Sequence, residues 1–79
     1  MTVKVRYFAV LRDRAGRADE FYTTEAKTAS ELILELIESR NLSLSPALIR
    51  PAIGGQFVEA THRLSDGDEV VLVPPVAGG

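Results

Sequence analysis

The sequence predicts an α+β fold in which a mixed sheet of four or five strands carries one main helix packed on one face. Residues 2–8 alternate between apolar and polar side chains, which is typical of a half-buried strand. Residues 28–40 repeat apolar side chains at helical spacing, and residues 69–73 read EVVLV, a short buried strand. With three further short strands, the predicted order of elements is β-β-α-β-β-β.

The first predicted strand, residues 2–8, places Val3, Val5 and Tyr7 on the face toward the core. Phe8 falls on the opposite face, which is otherwise polar. An aromatic side chain in that position needs a separate explanation.

Two segments precede the helix. Residues 12–19, RDRAGRAD, are polar and contain Gly16, so they are predicted to form a turn. Residues 20–24, EFYTT, are rich in residues that favour strands and are predicted to pair back onto the first strand as a hairpin.

The main helix is predicted to begin after Thr28 and to end at Asn41. Thr28 followed by Glu31 fits a capping box, in which each residue satisfies a free N–H group of the first turn. Arg40 in the last turn suits the negative end of the helix dipole. The apolar face consists of four side chains at helical spacing: Leu32, Ile33, Leu36 and Ile37.

Two short strands are predicted after a connector at residues 42–47. They occupy residues 50–53 and 56–59 and flank Gly54-Gly55, a favourable pair for a tight hairpin turn.

The last strand is predicted at residues 69–73, after a polar turn, LSDGDEV, that Leu64 anchors in the core. Pro74 and Pro75 end this strand because neither can donate to a sheet ladder. The first and last strands have strongly apolar inner positions, which favours neighbouring central places in the sheet. A crossover through the helix makes them parallel, and this arrangement is the ubiquitin-like β-grasp.

The chain is predicted to form one domain, residues 1–73, followed by a flexible extended tail, residues 74–79. Two prolines stiffen the start of the tail, whereas Gly78 and Gly79 have no side chains and could enter a narrow channel. Fully extended, the tail reaches about 20 Å. These features indicate a probe whose reactive group is the α-carboxyl of Gly79, although a frayed end gives the same sequence.

Composition argues against several classes of function. The 79 residues include nine basic and eleven acidic side chains, so the basic excess typical of nucleic-acid-binding proteins is missing. No apolar run approaches the ~20 residues of a membrane span. There is no cysteine, which excludes disulfides, thiolate metal sites and a cysteine nucleophile, and a cytoplasmic location is the default expectation.

Candidate catalytic and metal-binding side chains are scarce. His62 is the only histidine, and it lies in a polar stretch without obvious metal ligands. The three carboxylates of residues 66–69, DGDE, lack the spacing of a calcium loop and are interpreted as a turn. We therefore predict no metal site and no catalytic activity for this chain on its own.

Four segments together resemble the small subunits of molybdopterin synthase, a family of ubiquitin-like sulfur carriers. They are VRYFAVLRDRAG near the start, TASELILELIE in the helix, LSDGDEVVLVPP around the last strand, and the ending PPVAGG. Two departures are visible. Gly54 stands where similar proteins often carry asparagine, and Ala77 stands where a small polar residue is common.

The resemblance implies a mechanism centred on Gly79. An adenylyltransferase resembling ubiquitin-activating enzymes uses ATP to adenylate its carboxyl group, and a sulfur donor protein displaces AMP to leave a thiocarboxylate. The large synthase subunit then takes up the tail, and the sulfur passes to a pterin precursor. This chain binds no cofactor itself in that mechanism. The tail residues inserted into the partner are Pro74, Pro75, Val76, Ala77 and Gly78.

An apolar patch of Phe8, Phe57 and Val73 is predicted near the root of the tail. If Val70 and Leu72 face the helix, Val73 faces outward, on the same side of the sheet as Phe8. Similar proteins use apolar residues at the matching positions, which favours a surface that docks the large subunit. The alternative is that Phe8 fills an edge of the core.

Three other functions stay open from the sequence. A carrier for thiazole synthesis would use the same terminal chemistry, although such relatives tend to be shorter and to lack the Pro-Pro pair. A ubiquitin-like protein modifier would attach Gly79 to lysines of target proteins. A β-grasp interaction module without terminal chemistry would tolerate extension of the C-terminus.

Overall fold

The computed structural model describes residues 1–75. Neither α-helix in this range is long and apolar enough to cross a membrane. In that part of the chain the elements follow one another as β1 (Thr2–Tyr7), α1 (Val10–Ala15), β2 (Asp19–Thr23), α2 (Ala29–Arg40), a 3-10 turn (Pro46–Leu48), β3 (Arg50–Ile53), β4 (Gln56–Phe57) and β5 (Glu69–Val73).

The five strands form one mixed sheet in the order β2-β1-β5-β3-β4. β1 and β5 are neighbours and run parallel, whereas β2, β3 and β4 pair antiparallel with their neighbours. The predicted β-grasp arrangement, with its first and last strands parallel at the centre, is confirmed.

One face of the sheet packs against α2. The predicted alternation is confirmed in β1 and β5, whose inner side chains are buried while those between them are not. The inner strand residues form one buried apolar cluster with Leu32, Ile33 and Leu36 of α2. Leu64 belongs to this cluster and is buried as predicted. The inner strand residues of this core are Val3, Val5, Tyr7, Val70 and Leu72.

The predicted bounds of α2 are confirmed. Thr28 is its N-cap, and the Thr28 hydroxyl accepts a hydrogen bond of 3.3 Å from the Glu31 N–H. The Glu31 carboxylate accepts from the Lys27 N–H at 2.8 Å, so the return bond reaches one residue earlier than in a capping box. Asn41 ends the helix in the left-handed conformation, with φ of 55°.

The prediction of a turn over residues 12–19 is wrong in its first half, because α1 occupies residues 10–15. Leu11 and Ala15 lie one helical turn apart and are both buried, so a short helix seals the end of the core. Gly16 ends α1 with φ of 75°, and its N–H donates to the Arg12 carbonyl at 3.0 Å.

Two further predictions differ from the structure. The last two residues of the connector predicted at residues 42–47 belong to the 3-10 turn, Pro46–Leu48. β4 ends at Phe57 and does not reach residue 59, because the chain leaves the sheet to meet α2. There the carbonyls of Ala60 and His62 each accept a hydrogen bond of 2.9 Å from the first N–H groups of the helix.

Candidate functional site

The root of the tail is held by strands on both sides. β5 lies between β1 and β3, and the cross-strand partner of Val73 is Arg50. Pro74 is buried and Pro75 is exposed. The other predicted tail residues lie outside the described residues: Val76, Ala77, Gly78 and Gly79. The tail therefore begins at the end of the central strand of the sheet.

The three residues of the predicted apolar patch lie on the outer face of the sheet, opposite α2. Phe8 is 49% exposed and Phe57 is 52% exposed, while Val73 is half-buried. Phe8 therefore contributes little to the core at this position. The Phe8 N–H donates to the Leu72 carbonyl at 3.2 Å, which continues the parallel β1–β5 ladder by one residue.

Strand register brings these side chains together. Because Tyr7 pairs with Leu72 in the parallel ladder, the next residues, Phe8 and Val73, lie side by side. Arg50 pairs with Val73 from the other side, and its guanidinium lies 3.9 Å from the centre of the Phe57 ring. We call the row formed by Phe8, Val73, Arg50 and Phe57 the outer strip.

Arg50 is the residue of the outer strip that the sequence analysis did not single out. The alternation in RPAI shows which side chains share a face, and Pro51 is indeed buried while Arg50 is exposed. Only the pairing of β3 with β5 and β4 places Arg50 between Val73 and Phe57. That pairing joins distant parts of the chain, so a local pattern does not reveal it.

A charged network secures the end of β1 just before Phe8. Glu20 accepts two hydrogen bonds from Arg40, at 2.8 Å to Nε and 2.7 Å to Nη2. Arg17 donates to Glu20 at 3.1 Å, and the buried Tyr7 hydroxyl donates to it at 2.5 Å. The network ties β1, β2 and α2 together beneath the outer face.

The network shifts the acidity of its members. The hydrogen bonds from Arg40 lower the pKa of Glu20 from 4.5 to about 2, against an opposing effect of burial and with support from Tyr7. Burial and the bond to Glu20 raise the pKa of Tyr7 above its ordinary value of 10.0. Glu20 is therefore ionised at neutral pH and serves as an acceptor.

Side chains suited to catalysis are sparse in the described range. His62 is exposed, and its carbonyl accepts a hydrogen bond from the N-terminus of α2. Within residues 1–75, no group of three or more His, Cys, Asp or Glu side chains is placed to hold a metal ion. The features that stand out are the outer strip and the strand that leads into the tail.

A protein-family model described as the ThiS family matches residues 5–79. The chain belongs to this family. The match includes the second half of β1, the main helix, the last strand and the tail. It therefore covers both the outer strip and the predicted reactive end.

Two relatives of this ThiS-family chain carry the same description, molybdopterin synthase sulfur carrier subunit. The protein from Anopheles gambiae is 34% identical over 83 residues, covering 98% of this chain and 91% of its own. The protein from Escherichia coli (strain K12) is 33% identical over 82 residues, covering 98% and 99%.

Solved structures show the same fold. The putative molybdopterin converting factor subunit 1 from Pyrococcus furiosus superposes with a TM-score of 0.78 at 30% identity, covering 96% of this chain and 99% of its own. One chain in the complex of subunits 1 and 2 of molybdopterin-converting factor from Helicobacter pylori 26695 is similar to this chain. The matching chain of that complex gives a TM-score of 0.70 at 29% identity, with 100% of both chains covered.

A ubiquitin from Caldiarchaeum subterraneum also superposes, with a TM-score of 0.67. Its identity is 19%, and it covers 100% of this chain and 98% of its own. At that identity the likeness shows the fold alone. The ubiquitin-like β-grasp predicted from the order of the strands is thereby confirmed.

Proposed function

We propose that this chain is the sulfur carrier subunit of a molybdopterin synthase. The observation that carries the proposal is the identity of 34% and 33%, along 98% of the chain, with two sulfur carrier subunits of that enzyme. It favours this function over a thiazole-pathway carrier, a protein modifier and an interaction module without terminal chemistry.

The reacting group in this proposal is the carboxyl of Gly79. A carboxylate is a poor electrophile, so a partner adenylyltransferase first uses ATP to form a mixed anhydride with AMP and releases pyrophosphate. A sulfur donor protein then displaces AMP, and a thiocarboxylate remains on Gly79. ATP is used by the adenylyltransferase, and this chain binds no cofactor. We place these steps in the cytoplasm.

The large synthase subunit is the proposed recipient of the sulfur. Residues 74–78 lead the thiocarboxylate into its active site, where the sulfur passes to a pterin precursor. The position of β5 between β1 and β3 supports this arrangement, because a fixed root limits the directions in which the tail leaves the sheet. Acid and base groups for the transfer come from the large subunit.

The carrier state is expected to be visible as a mass difference. Replacement of one carboxyl oxygen of Gly79 by sulfur adds about 16 Da to the protein purified from its native host, and oxidation of Met1 gives nearly the same shift. Intact-mass measurement followed by fragmentation separates the two. A shift that maps to Met1 in every preparation, with none on Gly79, would contradict the carrier function.

Phe8→Asp is expected to weaken the complex with the large subunit by more than about 1 kcal/mol without unfolding the chain. The reason is that Phe8 is exposed in the free chain but becomes an interface anchor on docking, where a carboxylate loses its hydration. Titration calorimetry measures the affinity, and thermal unfolding checks the fold.

Phe21→Asp is the matched control for that measurement. Phe21 is 76% exposed on the same outer face, and it pairs with Lys4, about 13 Å along β1 from Phe8. The control variant is expected to bind like the unmodified chain. Unfolding of Phe8→Asp, or equal weakening by both variants, would show that the docking surface is assigned to the wrong place.

A further inference from the structure

Arg50 occupies an unusual place for a charged side chain, at the middle of the outer strip. Val73 flanks it on one side and the Phe57 ring on the other. Among the described residues, no carboxylate lies within 4.0 Å of its guanidinium nitrogens. Any partner that covers the outer strip must therefore also cover a positive charge that no carboxylate of residues 1–75 pairs with.

The contact with Phe57 orients the Arg50 guanidinium. At 3.9 Å from the ring centre, the charged group lies against the aromatic side chain, where the negative face of the ring attracts it. An arginine held this way keeps N–H donors at its edge for a second partner. Since its rotation is already restricted, less side-chain entropy is lost when a planar acceptor binds.

A shallow groove gives access to this edge. It has a volume of about 650 Å³, and Arg50 and Phe57 contribute to its lining together with the exposed side chains of Glu59, Thr61 and His62. Glu59 is the acidic residue of the groove, and its carboxylate is not within 4.0 Å of Arg50. A side chain from a partner can thus approach along the β3–β4 edge.

We propose that the large synthase subunit places a carboxylate against Arg50, so that this arginine selects the partner that docks on the outer strip. The inference rests on the proposed function, because it assumes that the outer strip is the docking surface. Burial of an unpaired guanidinium among Phe8, Val73 and Phe57 costs free energy, whereas a carboxylate forms two parallel charge-assisted hydrogen bonds with it.

The test uses the full chain and the large subunit from the same organism. Arg50→Met keeps an apolar stem of similar length but removes the charge, and it is expected to raise the dissociation constant about tenfold or more. Arg50→Lys keeps the charge without the planar donor pair, and an intermediate loss is expected. Calorimetry at low and high NaCl is expected to show a smaller salt dependence for Arg50→Met than for the unmodified chain.

Lys27→Met is the matched control, since it removes one positive charge from an exposed site just before α2. Its dissociation constant is expected to stay within about twofold of the unmodified value. If Arg50→Met binds as tightly as the unmodified chain, or more tightly, Arg50 faces no carboxylate and the inference is overturned.

Phe8→Asp separates the two ways in which the test can fail. Weakening by Phe8→Asp together with unchanged binding by Arg50→Met overturns the pairing of Arg50 and leaves the docking surface standing. Unchanged binding by both variants overturns the docking surface and the pairing together. Weakening by both variants, with Lys27→Met unaffected, supports both.

Discussion

One residue added after Gly79 is expected to abolish sulfur transfer without measurable loss of stability, and deletion of Gly79 is expected to do the same. In the extended variant, the carboxylate of Gly79 becomes an amide, which the proposed adenylyltransferase cannot activate. In the deletion variant, the terminal carboxylate belongs to Gly78 and lies about 3.5 Å short of its target. Reacting atoms must approach within about 3–3.5 Å, so one residue suffices to lose the reaction.

Stability is expected to be unaffected because the described core ends before the tail. Within residues 1–75 the buried apolar cluster runs from Val3 to Leu72, and a terminal glycine has no side chain to add to such a core. Thermal unfolding of both variants is therefore expected to coincide with that of the unmodified chain. A loss of activity with an unchanged melting temperature separates a chemical effect from a structural one.

The assay combines the chain with the activating enzyme, ATP, a sulfur source, the large subunit and the pterin precursor. Ala77→Ser is a suitable control, since it restores a small polar residue of the kind common in similar proteins and leaves the terminus intact. It is expected to retain full activity. Full activity of the extended variant, with the extra residue shown by mass to be still attached, would rule out terminal acyl chemistry.

Local patterns in the sequence were sufficient for most elements of the fold. Alternation identified the inner faces of β1 and β5, because a strand buried on one face must repeat every second residue. Thr28 and Asn41 marked the ends of α2, since helix termini need partners for free N–H groups and a residue that tolerates positive φ.

Helix α1 was not predicted because its six residues are too few to show a helical repeat of apolar side chains. Its buried side chains are Leu11 and Ala15, and the three residues between them are charged. A polar segment with a glycine at its end is equally typical of a turn. The burial of this short helix depends on the end of the core that it covers, which the local sequence does not specify.

Side-chain pairs between distant elements were also beyond the sequence patterns. From the sequence, Arg40 was assigned an interaction with the helix dipole, yet it also binds Glu20 on β2. No local sequence pattern distinguished Arg50, which lies on the outer strip because β3 pairs with β5. Both contacts depend on how strands and helix pack together, and neither residue type nor spacing encodes that packing directly.

Glu20→Gln is expected to lower the free energy of unfolding at neutral pH by about 2 kcal/mol, which is roughly 10 °C in melting temperature for a domain of this size. The Glu20 side chain is 9% exposed, so its charge relies on its protein partners. Removal of the charge leaves Arg40 without its two charge-assisted bonds. Because the Arg40 side chain is 25% exposed and can be rehydrated, the loss is smaller than for a fully buried pair.

The effect is expected to depend on pH in a defined direction. The pKa of Glu20 is lowered in the folded chain from 4.5 to about 2, chiefly by the bonds from Arg40. The stabilisation is therefore complete above pH 4.5 and is lost as the pH falls toward 2, where the carboxylate binds a proton in the folded chain. The unmodified chain and Glu20→Gln should thus differ most near neutral pH and converge in acid.

Two variants test whether this difference belongs to the network. Tyr7→Phe removes the hydroxyl that donates to Glu20 at 2.5 Å and is expected to cost about 1 kcal/mol. Glu38→Gln removes an exposed carboxylate from α2 and is expected to change the free energy of unfolding at neutral pH by less than about 0.5 kcal/mol. Urea unfolding of the four proteins between pH 2 and pH 7 measures these differences. A constant gap between Glu20→Gln and the unmodified chain across this range would show that the ionised carboxylate is not the source of the stability, because only a charged group loses its contribution on protonation.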